Sequence, residues 1–209
     1  MIEIVNFIGL ALLLATLPVY LAQRFGATRL GLAGWSLAMS AVFLIPWNGH
    51  SIVYFVRGVV GDLSVSSLVV LCVIYGRALT KPVSSHQHIR GQVGWMLLAI
   101  LLPLYASTTG YLTFDLYGWG YEPQWFLVAL GLLMLWAWQT QPALAIAWLI
   151  GVVSFAWGMT PSRNLWDALF DPFMAFTAMG IVVSSVMRAV LPKKSATPTV
   201  KEPVLRQAA

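Results

Sequence analysis

Charged residues in this chain are confined to short gaps between long apolar segments, and that alternation decides what it can fold into. A helix needs roughly 20 apolar residues to cross the hydrocarbon of a bilayer, and about seven such segments fill most of the length. Only 9% of the residues are charged and 59% are hydrophobic, whereas soluble domains carry about 25% charge. Soluble folds are therefore excluded. The expectation is an all-α fold, a polytopic integral membrane helical bundle of about seven transmembrane helices over residues 1–191. A disordered cytoplasmic tail rich in Pro, Lys and Thr is expected over 192–209.

The sign of the charges orients the bundle. With the N-terminus outside, Arg24, Arg29, Arg77, Lys81, Arg90, Arg188, Lys193, Lys194, Lys201 and Arg206 all fall inside. Glu3, Asp62, Asp115, Glu122, Asp167 and Asp171 fall outside, and only Glu202 does not. This is the positive-inside bias, with the C-terminus cytoplasmic. Spans are expected at 2–22, 30–47, one ending near Arg77, 92–109 with a kink at Pro103, 124–138, 142–159 and 172–190. Residues 48–62 fit either a half-inserted helix or an outer extension of the third span. Tryptophans support the threading. Trp47, Trp119, Trp125, Trp157 and Trp166 gather at the outer boundary, and Trp35, Trp95, Trp136 and Trp138 towards the inner one, as interfacial partitioning predicts. Only Trp148 lies mid-span. The first segment lacks a basic leader region and reads as a retained helix. The single cysteine, Cys72, forms no intrachain disulfide and is expected to pack within its span.

Two arginines, Arg57 and Arg163, break the charge rule by lying among the outer acids, and candidate function gathers around them. In the segment from Thr160 to Pro172, helical spacing puts Arg163, Asp167 and Asp171 along one stripe, with Leu165, Trp166, Leu169 and Phe170 opposite. This is a short interfacial amphipathic helix before the last span, capped by Ser162 and broken at Asp171-Pro172. Its polar face is either a platform for a ligand, with Asn164 beside it, or simply wet. Arg57 and Asp62 are five apart, on different faces of a regular helix, so they are not expected to pair locally. Arg57 then pairs with an acid elsewhere or forks onto a carboxylate or phosphate ligand. The loop from Tyr111 to Trp125 offers Tyr117, Trp119 and Tyr121 beside Asp115 and Glu122, which suits headgroup recognition and equally suits an aromatic belt. His50 follows Asn48-Gly49, and histidine is a residue type that can serve as a general acid or base.

These residues lead to one expectation and two alternatives. In the first, an anionic lipid or lipid-linked glycan headgroup binds on the periplasmic face of a bacterial inner membrane, in envelope biogenesis. Arg57, Arg163, Asn164, Asp115, Asp171, Tyr117, Trp119 and Tyr121 would bind it. Asp62, Asp167 and His50 would supply acid–base chemistry if there is catalysis. In the second, the chain is a non-catalytic accessory or assembly subunit of a larger complex with a membrane-protein partner, and the amphipathic helix 163–171 docks a periplasmic partner through Trp166 and Leu169. In the third it is a small-solute transporter, which the absence of acids from the middle of the spans disfavours. No cofactor, metal or nucleic-acid partner is expected. His86 and His88 lack further ligands, no span carries facing histidines for haem, and neither a Walker nor a His-Glu-x-x-His motif occurs.

Overall fold

The computed structural model describes residues 2–80, 91–110 and 112–190. Expectations for Lys81, His86, His88, Arg90, Tyr111 and the tail 192–209 lie outside these residues. The described chain is mainly helical, in the order α1 (Ile2–Arg24), α2 (Arg29–Leu44), α3 (Ile52–Val60), α4 (Val65–Thr80), α5 (Gly91–Thr108), α6 (Gln124–Thr140), α7 (Pro142–Ala156), α8 (Leu165–Leu169) and α9 (Pro172–Val190). Three segments are long and apolar enough to cross a membrane: Glu3–Gln23, Gly91–Thr108 and Pro172–Val190. Four further apolar helices are shorter: Arg29–Leu44, Val65–Arg77, Gln124–Thr140 and Pro142–Ala156.

Local chemistry sets the ends of these helices. Thr28 Oγ1 accepts from the Gly31 amide at 3.1 Å and starts α2. Pro142 occupies the first position of α7, where its missing N–H costs nothing. Helix α5 runs through Pro103, where the sequence predicts a kink.

The segment 48–62 is not an outer extension of the third span but a tight turn followed by a separate short helix. Pro46–Trp47 (β1) pairs antiparallel with His50–Ser51 (β2). Asn48 (φ 53°) and Gly49 (φ 90°) make the turn, both left-handed, as tight hairpin turns require. Ser51 then caps α3, its Oγ accepting from the Tyr54 amide at 3.2 Å. Helix α3 is a separate nine-residue helix that stops at Gly61 (φ 81°), not an extension of α4.

Two apolar cores result. One joins α5–α9 around the fully buried Trp148, with Leu101, Leu130, Leu165 and Leu169 also fully enclosed. The other joins α1 to α3 through Leu10, Ala11, Val53 and Leu63. Helix α4 bonds to both sides: Tyr75 Oη donates to the Leu12 carbonyl of α1 at 2.7 Å, and Ser66 reaches the first core. Ser66 Oγ donates to the Ala147 carbonyl of α7 at 3.2 Å and lies 3.5 Å from the Ala168 carbonyl of α8. That approach needs a glycine at 151, because a Cβ there would stand 2.8 Å from Leu169 Cδ2 and 2.9 Å from Ser66 Oγ. Gly151→Val is expected to cost about 2 kcal/mol by overpacking, read as earlier unfolding in detergent. An unchanged unfolding midpoint would mean that α4, α7 and α8 have room to separate.

Most tryptophans are surface residues, as belts require: Trp35, Trp47, Trp95, Trp119, Trp125, Trp136, Trp138 and Trp157 are exposed. Trp166 is the exception. It is buried, stacked on Phe126 with ring centroids 4.0 Å apart, and is a core residue rather than a belt residue. Cys72 also departs from expectation and faces outward from α4.

Candidate functional site

Polar side chains converge at the end of the bundle where α1 and α9 begin and α5 finishes. The cavity there has a volume of about 340 Å³. Asn6, Asp62, Tyr105, Thr108, Tyr117, Ser162, Asp167 and Asp171 line it, with Trp166 and Phe170 among the apolar wall. Two other hollows are apolar. One of about 400 Å³ lies against Leu12, Leu37, Leu71 and Cys72, and one of about 120 Å³ against Val70, Leu97, Leu144 and Phe173. Of these three hollows, only the first combines an apolar wall with several convergent polar groups, the usual make-up of a ligand site.

Each polar group is positioned by a different break in the helices. Asp171 is 3% exposed and joins two helix starts. Its Oδ1 accepts from the Met174 amide of α9 and its Oδ2 from the Ser64 amide before α4, both at 2.7 Å. Ser64 Oγ in turn accepts from the Ser67 amide at 3.1 Å. Burial pushes the Asp171 carboxyl above its ordinary range, against the opposing pull of these amides.

Asp167 sits on the solvent side of α8, and Tyr117 Oη donates to it, 3.0 Å from Oδ1 and 2.9 Å from Oδ2. Burial, then the bond to Asp167 and its charge, raise the Tyr117 phenol well above its usual range. Tyr117 therefore stays a donor at neutral pH. Tyr121 meets it edge-on, with centroids 6.0 Å apart.

The predicted stripe Arg163–Asp167–Asp171 does not form. Only Leu165–Leu169 is helical, so Arg163 lies before the helix and Asp171 after it. The cap is Asn164, not Ser162. Asn164 Oδ1 accepts from the Trp166 amide at 2.9 Å, while Ser162 Oγ accepts from the Asn164 amide at 3.0 Å. The apolar side of α8 faces the protein's own core: Leu165, Trp166, Ala168 and Leu169 are all buried. Trp166 and Leu169 are thus not free to dock a partner, which corrects that expectation.

Arg57 and Asp62 do pair. Arg57 Nε donates to Asp62 Oδ1 at 2.6 Å and Nη2 to Oδ2 at 3.1 Å. The five-residue spacing misleads because α3 ends at Val60, and left-handed Gly61 turns the chain back on the helix. The guanidinium also stands over the Phe7 ring, 5.1 Å from its centre, and 3.8 Å from Glu3. The forked bond to Asp62 strengthens the hold of Arg57 on its proton. Both partners reach solvent, so a double-mutant cycle across Arg57→Ala and Asp62→Ala is expected to give a coupling of about 1 kcal/mol. A coupling indistinguishable from zero in low salt would mean that the fork does not persist in solution.

The structure therefore brings together Asp62, Asp167, Asp171 and Tyr117 from the candidate residues, with Arg57 behind Asp62. Arg163, His50, Asp115, Trp119 and Tyr121 are not part of the cavity wall. His50 is exposed and stacks on Tyr54, with centroids 4.4 Å apart. Asp115 accepts from the Gly118 amide at 2.8 Å and stabilises its own turn. Asn164 is fully buried outside the cavity lining, with both ends of its amide bonded within the protein.

Sequence reasoning missed Asn6 and Tyr105 as cavity residues. A polar residue one turn into an apolar first span is the signal that marks Asn6. Among the described residues no group of acids, histidines and cysteines is arranged to hold a metal ion. Compared with protein-family models, curated proteins and solved structures, the chain matches none.

Proposed function

We propose that the chain is a multi-pass protein of a bacterial inner membrane that binds the headgroup of a membrane lipid or lipid-linked glycan in this cavity. The three long apolar helices and the four shorter ones then make seven spans, with the N-terminus and the cavity on the periplasmic side. The positive-inside bias and the exposed tryptophans support that orientation.

The observation that carries the reading is the cavity itself. Its volume of about 340 Å³ lies within the range of small-ligand sites. It opens at one end of a bundle whose sides are apolar, which suits a ligand with a polar head and an apolar tail. Phenol, hydroxyl and carboxylate groups there can exchange hydrogen bonds with a headgroup. The fork between Arg57 and Asp62 weighs against a phosphate held by free arginines, because the Arg57 charge is already compensated. The assembly-subunit reading loses its docking face, since the apolar side of α8 is enclosed.

The test is native mass spectrometry of the intact protein purified from native membranes in mild detergent, beside Asp167→Asn. A lipid or glycolipid retained by the wild type and lost in the variant is the expected result. A stoichiometric protein partner, with no specific lipid in either sample, would overturn the reading in favour of an assembly subunit.

A further inference from the structure

We infer that the group entering the cavity is an ammonium, so that the preferred headgroup is an amine-bearing one. This rests on the headgroup reading above and names its chemistry. Among the described residues no Lys, Arg or His contributes to the cavity wall, whereas Asp62, Asp167 and Asp171 all do. The Asp171 carboxylate is committed to two backbone amides. Asp62 shares its charge with Arg57 from behind, and Asp167 accepts from Tyr117. The balance along the wall is therefore acceptor-rich and negative.

An independent observation points the same way. Asn6 is 3% exposed and lines the cavity, and its Oδ1 has no hydrogen-bond partner. A buried amide oxygen without a donor is costly unless a ligand supplies one. A primary ammonium has three donors and no acceptor. Asp62, Asp167 and Asn6 each bring an acceptor to the lining of the same cavity. Tyr105, Tyr117 and Phe170 add aromatic rings to the lining, and an aromatic face attracts a cation and not an anion. A neutral glycan would need donors as much as acceptors, and an anion would meet Asp167 and the Arg57-paired Asp62.

The experiment uses the full-length protein in detergent, titrated separately with phosphatidylethanolamine and phosphatidylglycerol and read by native mass spectrometry. Free ethanolamine is tested as competitor and, alone, by thermal shift. Asp167→Asn and Asn6→Leu are compared with the wild type after circular dichroism confirms helicity. Asn6→Leu removes an acceptor that makes no bond in the protein, so it preserves the fold if the other variant does not.

The expected result is retention of the ethanolamine lipid about tenfold above the glycerol lipid, falling towards parity in either variant. Competition by free ethanolamine would show that the ammonium alone suffices. Its failure to compete, with lipid selectivity intact, would show that the tail is needed, and the inference stands in both cases. Equal retention of the two lipids, reduced equally by the variants, overturns the ammonium and leaves the headgroup reading. Stabilisation by ethanolamine without retention of either lipid overturns the headgroup reading and keeps the ammonium. No retention and no stabilisation overturns both.

Discussion

Asn164→Ala is expected to lower the stability of the folded bundle by about 3 kcal/mol, measured as unfolding in detergent by circular dichroism. The side chain is fully buried and each end is occupied. Oδ1 caps α8 through the Trp166 amide, and Nδ2 donates to the Tyr117 carbonyl at 2.9 Å. Loss of a cap costs about 1 kcal/mol, and each buried group left without a partner adds about 1–3. Trp166 extends the damage, because its Nε1 donates to the Leu116 carbonyl at 2.8 Å while its ring stacks on Phe126. Asn164 thus fastens the 116–120 turn to α8 and, through it, to α6. Gly120 packs against this same amide, and a Cβ added there would collide with Asn164 Oδ1. Gly120→Ala should therefore resemble Asn164→Ala. A change below about 1 kcal/mol in Asn164→Ala would mean that the turn and α8 are held by apolar packing alone.

How much of this was legible in the sequence depends on which residues spoke through composition and which through geometry. Apolar length located α1, α5 and α9, and Pro142 and Pro172 located the starts of α7 and α9 to the residue. The hairpin was legible too, since Asn48-Gly49 is the residue pair that left-handed turns demand. It was missed because flanking strands of two residues give no alternation to read. The site was half legible. Three of the acids that the charge rule groups together, Asp62, Asp167 and Asp171, share a cavity, and which of them do so is set by helix ends. Gly61 redirects Asp62 on to Arg57, and Asn164 shortens the expected amphipathic helix until Arg163 falls outside it. Asn6 comes from the far end of the chain, and nothing local to the 160–172 segment announces it.

Asp171→Ala is expected to have a larger effect than Asn164→Ala, about 4 kcal/mol, because it removes two acceptors at once from a buried site. The Ser64 and Met174 amides stand at the starts of α4 and α9, and Asp171 is the acceptor each of them uses. Asp171→Asn keeps one acceptor oxygen and should lose about half as much. The pH dependence separates burial from charge. Because the folded carboxyl is raised above the unfolded value, the native state holds its proton at pH values where the unfolded chain has released it. The stability this contributes is fully present below the unfolded range and is lost as pH rises through the folded value. Wild type should therefore lose stability relative to Asp171→Asn as pH rises from about 4 towards neutrality, with a slope of at most about 1.4 kcal/mol per unit. A gap that widens with pH in favour of the wild type would mean that the two amides and the two helix starts outweigh burial and hold the residue as a carboxylate. The cavity would then carry the Asp171 charge beside Asp167 and the Arg57-paired Asp62, and an amine headgroup would bind more tightly as the pH is raised through the acidic range.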